Sequence, residues 1–99
     1  MAKVLFKIIY SDEFIDNAAK IYEYHLGNFA PDKAERIISS ALQNISLLQS
    51  NPLLFVKAES KKFPDCRKIV IEEYIILYIV HGKSVIIINI IAGTSDWKQ

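Results

Sequence analysis

The stretch Asp65-Cys66-Arg67-Lys68-Ile69-Val70-Ile71-Glu72-Glu73-Tyr74-Ile75-Ile76-Leu77-Tyr78-Ile79-Val80 decides the fold. It marks the point where two amphipathic helical patterns give way to three closely spaced apolar strand patterns, read as about 66–72, 74–81 and 84–92. His81-Gly82-Lys83 supplies the last turn, because Gly82 tolerates positive φ. Strands three and four, Tyr74 to Val80 and Val85 to Ile91, are apolar on both faces. A sheet covered by helices on one side normally alternates apolar with polar residues. Something must therefore cover the second face: a second copy of the chain or a bound partner segment.

Upstream, residues 3–10 are β-branched and aromatic and read as a strand. Ser11 and Asp12 are good capping residues for a helix that carries Phe14, Ala18, Ile21, Tyr22 and Leu26 at helical spacing and stops near Gly27. After the connection Asn28-Phe29-Ala30, Pro31 opens a second helix, where its missing N–H costs nothing. Ala34, Ile37, Ile38, Ala41, Leu42, Ile45 and Leu48 form its apolar face, and it should end before Asn51-Pro52. So short a link predicts an antiparallel helical hairpin. The order β-α-α-β-β-β gives an α+β fold: an N-terminal strand, a helical hairpin, then a three-stranded antiparallel meander, all in one antiparallel sheet with the hairpin on one face.

A chain of 99 residues suits a single domain, 1–99, with a modest core. Its 52% hydrophobic content lies slightly above the soluble average. Charged or polar residues interrupt every apolar run before the ~18–20 residues needed to span a bilayer, so no membrane association is expected. Met1 to Lys7 lacks a signal-peptide layout, which makes the cytoplasm the expected location. One cysteine, Cys66, precludes an internal disulfide or a multi-cysteine zinc site, and His25 and His81 show no ligand spacing. No metal or cofactor is expected. The net charge of +1 argues against wrapping nucleic acid over much of the surface, though it allows a local basic patch.

Nearly the whole chain resembles the RelE/ParE superfamily of small bacterial toxins. The resemblance rests on Ala18 and Ile21-Tyr22 in the first helix, Ala34 and Leu47-Leu48 in the second, and Asn51-Pro52 after it. Arg67, Tyr74 and Tyr78 follow on the strands, and Gly93-Thr94-Ser95-Asp96-Trp97 forms the tail. ParE-like members poison DNA gyrase, whereas RelE-like members cut messenger RNA in the ribosome. The latter place basic residues late on the second strand and just after the last. Here those positions hold Glu72 and Gly93-Thr94-Ser95. ParE-like members are therefore the closer match. The resemblance implies a toxin of a type II toxin–antitoxin system that inhibits gyrase by binding. A cognate antitoxin laid across its apolar sheet or hairpin would neutralise it. The alternatives are a ribosome-dependent endoribonuclease of the RelE kind and a non-toxic relative that only binds a partner.

Lys57, Lys61, Lys62, Arg67 and Lys68 place five cations within 12 residues, offset by Glu59 and Asp65. They read either as a patch facing RNA, DNA-bound gyrase or an acidic antitoxin tail, or as a solvated loop. Arg67 suits carboxylate or phosphate pairing, or an ion pair with Glu72 or Glu73. RNA cleavage would draw on Lys61, Lys62, Arg67 and His81 as catalytic candidates, His81 being otherwise a turn residue. Tyr78 suits either core packing or stacking on a base. Asp96 and Trp97 complete the candidate contact set, with Trp97 as a partner anchor or as packing on the sheet edge. Asn89, inside an apolar strand, must find a hydrogen bond or face solvent.

Overall fold

The computed structural model describes residues 4–94. Its elements follow the expected order: β1 (Lys7–Tyr10), α1 (Asp12–Gly27), α2 (Pro31–Leu47), β2 (Arg67–Ile71), β3 (Tyr74–His81) and β4 (Ser84–Ala92). Ser11 caps α1 by accepting the Phe14 N–H at 3.0 Å, and Asp12 and Glu13 sit in the first turn, where the helix dipole favours acid. Pro31 lies in the first turn of α2, which has no side-chain cap. β1 is shorter than the 3–10 pattern suggests, because β4 begins at Ser84, opposite Lys7. Val4, Leu5 and Phe6 have no β4 residue to pair with, although the Phe6 N–H still donates to the Gln49 carbonyl at 2.8 Å.

The four strands form one sheet in the order β1-β4-β3-β2. The meander is antiparallel, but β1 runs parallel to β4, a departure from the all-antiparallel expectation. The physical cause is the hairpin: two helices of similar length return the chain to the end of the sheet where β1 began, and β4 then starts beside it. A register shift between Leu77 and Tyr78 sets Leu77 opposite Asn89 and Tyr78 opposite Ile87, leaving Ile88 as a bulge. The start of α1 holds this bulge. Ser11 Oγ donates to the Ile88 carbonyl, while Asn89 Oδ1 accepts from Asn17 Nδ2 at 2.7 Å and from the Ile90 N–H at 2.8 Å. Asn89 thus finds its hydrogen bonds inside the fold.

Two apolar layers flank the sheet. On one face Phe14, Ile37, Ala41, Ile45 and Leu48 of the hairpin pack against Ile69, Ile71, Tyr74, Ile76, Tyr78, Val85, Ile87 and Ile90. On the other, Ala58, Phe63 and Cys66 cover Ile75, Leu77, Ile79, Ile88 and Ile91. Residues 52–66 therefore form a strap across the second face. This corrects the expectation that another chain must cover it: the irregular segment supplies the apolar cover itself. The strap also lines the outer edge of β2 through a Lys57–Arg67 bridge. Lys68 N–H donates to the Val56 carbonyl at 3.0 Å, and Ala58 N–H to the Cys66 carbonyl at 2.9 Å.

Candidate partner and target surface

Arg67 begins β2, half-buried, and its Nη1 donates to the Phe55 carbonyl at 2.7 Å. The expected ion pair with Glu72 or Glu73 does not form. Those carboxylates lie at the far end of β2 and pair with α2: Arg36 Nε donates to Glu72 at 2.7 Å and Lys33 Nζ to Glu73 at 2.8 Å. Each bond holds its carboxyl below the usual carboxylate range. Opposite Arg67 in the ladder stands Tyr78, completely buried, whose hydroxyl donates to the Pro52 carbonyl at 2.9 Å. Burial pushes its phenol above the ordinary tyrosine value, with Arg67 opposing. Its ring also meets Phe55 edge-on at 6.5 Å. This takes Tyr78 off the folded surface and makes it, with Arg67, the tie that fastens the strap to the sheet. Cys66, at the end of the strap, is fully buried against the sheet, and that burial pushes its thiol pKa up.

The remaining cations are displayed differently. Lys57, Lys61 and Lys62 are exposed on the strap, Lys62 with its ammonium 5.6 Å from the Phe63 ring centre. Lys68 is half-buried on β2. Around them Leu53, Leu54, Val56 and Val70 are exposed aliphatic side chains. The strap and its edge thus present cations interleaved with apolar groups. His81 is exposed at the end of β3 and shares a shallow hollow with Lys62, Phe63, Pro64, Asp65, Ile79 and Val80. Asp96 and Trp97 lie outside the described residues. No group of His, Cys, Asp and Glu suited to a metal ion occurs among the described residues.

The model of the ParE toxin of the type II toxin–antitoxin system parDE matches residues 8–97 of this sequence. The chain belongs to the ParE toxin family. A solved structure of the chromosomal ParDE toxin–antitoxin system from P. aeruginosa shares its fold, with a TM-score of 0.74 at 18% identity, over 89% of this chain and 96% of that one. No curated protein matches the sequence. As a ParE toxin the chain is one half of a two-protein system, whose other half is an antitoxin. No helix among the described residues is long and apolar enough to cross a membrane.

Two features of this ParE-family chain escape a sequence reading. Between the helices Ala18, Ala19, Tyr22, Glu23 and Ile38 line an open, mainly apolar hollow, closed on one side by the Tyr22 hydroxyl donating to Glu35 at 2.9 Å. A broad apolar stripe hides this, because the residues of the hollow and of the core share one helical periodicity. The second is Phe29, which sequence treats only as part of a connection and which the fold leaves 96% exposed.

Proposed function

We propose that this chain is a cytoplasmic toxin that inhibits DNA gyrase by binding and is held inactive by a cognate antitoxin. Membership of the ParE family carries the reading. The disposition of charge supports it. Arg67 is committed to the Phe55 carbonyl, and Glu72, where a RelE-like nuclease would carry a cation, is committed to Arg36. Phosphodiester cleavage needs convergent groups to activate a hydroxyl and to neutralise the phosphorane. Exposed lysines on a strap suit adhesion better. Coverage of both sheet faces from within the chain favours the hairpin as the antitoxin's surface, and the apolar hollow at Ala18, Ala19, Tyr22 and Ile38 supports that reading.

The test is tightly controlled expression with and without the neighbouring gene, scoring growth and plasmid supercoiling. Arrest relieved by the neighbour, with gyrase-dependent DNA breaks, is the expected result. One observation favours a second reading: Lys62, Asp65 and His81 border a single hollow. Arrest without DNA damage, with new 5′ ends on translated messages, would establish that nuclease reading instead. Normal growth from soluble protein would leave a partner-binding relative.

A further inference from the structure

The C-terminus of α1 is built as a Schellman motif. The Ala30 N–H donates to the His25 carbonyl at 2.8 Å and the Phe29 N–H to the Leu26 carbonyl at 3.2 Å, with Asn28 as the cap. Such a motif needs the left-handed conformation at the residue after the cap, and Phe29 adopts it with φ +58°. Glycine is the usual occupant, since any Cβ is disfavoured there. Gly27 lies two positions too early to serve. The second non-glycine residue with positive φ, Glu72 at +54°, is compensated by the forked hydrogen bonds from Arg36 at 2.7 and 3.2 Å. Phe29 has no such return: its ring is almost wholly in water. The left-handed backbone at Phe29 costs strain, and a ring as exposed when folded as when unfolded returns no burial energy to offset it. Both are explained if the ring is buried by another molecule.

We propose that Phe29 is the anchor by which the hairpin tip enters an apolar pocket, rimmed by basic groups, on the toxin's protein target. Charge decides the kind of partner. Near the tip Lys33 and Arg36 are already paired with Glu73 and Glu72, while the exposed Glu23 and Asp32 make no direct ion pair among the described residues, Asp32 acting on Arg36 only through space. An acidic flank repels phosphate, which disfavours nucleic acid or an anionic membrane, and it suits a cationic rim on a protein. On the reading given above the antitoxin takes the hollow along the hairpin, which leaves the tip for the target. This rests on the gyrase reading given above.

The experiment compares the full chain with Phe29→Gly and Phe29→Tyr. Inhibition of supercoiling by purified DNA gyrase is measured on relaxed plasmid, alongside thermal midpoint and co-purification with the neighbouring gene's product. Phe29→Gly should raise the midpoint by about 2–6 °C by relieving the left-handed strain. It should also require about 30-fold more protein for equal inhibition, the loss typical of a central aromatic anchor. Phe29→Tyr should stay within about threefold of the parent, and all three should retain the antitoxin. Undiminished inhibition by Phe29→Gly overturns the proposal. So does loss of antitoxin retention alone, which would reassign the anchor to that partner. Failure of the parent chain itself to inhibit gyrase overturns the gyrase reading and this proposal with it.

Discussion

Replacing Tyr78 by Phe removes a single oxygen, and the structure says where the effect should appear. That hydroxyl donates to the Pro52 carbonyl at 2.9 Å from a residue with no exposed surface. A neutral intramolecular hydrogen bond contributes about 1 kcal/mol net, and a carbonyl left without its donor adds a few tenths more. The expected loss is about 1–1.5 kcal/mol, or roughly 4–12 °C in the midpoint for a domain of this length. The loss should be local as well as global, because Tyr78, Phe55 and Arg67 together fasten the strap. Hydrogen exchange should quicken first at the amides of Ala58 and Lys68, which bond to Cys66 and Val56 across the strap edge. Tyr74→Phe is the control. It loses the 2.8 Å hydrogen bond to His25 on the hairpin side and should leave those two amides protected. A Tyr78→Phe protein with unchanged exchange at Ala58 and Lys68 would refute the assignment of Tyr78 as the tie.

Phe63→Ala should uncover part of Ile75, Leu77 and Ile88, lower stability by about 1–2 kcal/mol, and promote concentration-dependent association in light scattering. Cys66 should resist a thiol-specific reagent at pH 8 in the native protein and react promptly in denaturant, because burial both blocks it and raises its pKa. Glu72 and Glu73 titrate below the usual carboxylate range when folded, so the unfolded chain takes up protons first as pH falls. Their contribution is complete above about pH 4.3 and is lost as pH drops through the folded values. The midpoint gap between the parent and the double variant Glu72→Gln/Glu73→Gln should therefore persist above about pH 4.3, close as the pH falls below it, and shrink in high salt. A gap independent of pH would contradict those pairings.

Much of this architecture was legible in particular residues. Ser11, Gly27, Pro31 and Gly82 mark boundaries by local chemistry, and the structure places element ends at or beside each of them. The β2–β3 turn is not legible in that way, since Glu72-Glu73 has no turn-forming side chain. Its positive φ at Glu72 is held by Arg36, which lies 36 residues earlier and leaves no local signal. The strap escapes for a related reason. Residues 52–66 lack periodicity because they cover the sheet with isolated side chains, Ala58, Phe63 and Cys66, rather than with a face. Among candidate contacts, the exposed lysines were legible as cations but Tyr78 was not legible as buried, since a tyrosine on a doubly apolar strand reads alike as core or as contact. Phe29 had no signal beyond its position two residues after Gly27.

The closure of the sheet bears on how one fold can serve different targets. Hairpin and strap cover its two faces, and the strap backbone pairs with the start of β2 at Arg67 and Lys68. The other edge, β1, is four residues long and opens with Lys7, the kind of short charged strand that discourages strand addition. Recognition by side chains carried on the hairpin and strap is favoured over addition of a strand to either edge. Those positions are free of the packing that fixes the core. Agreement in fold with the P. aeruginosa structure at only 18% identity is compatible with such a division. Phe29, Lys57, Lys61 and Lys62 belong to the unconstrained set. They can change without disturbing the sheet, and it is through residues of this kind that a toxin of this fold would exchange one target for another.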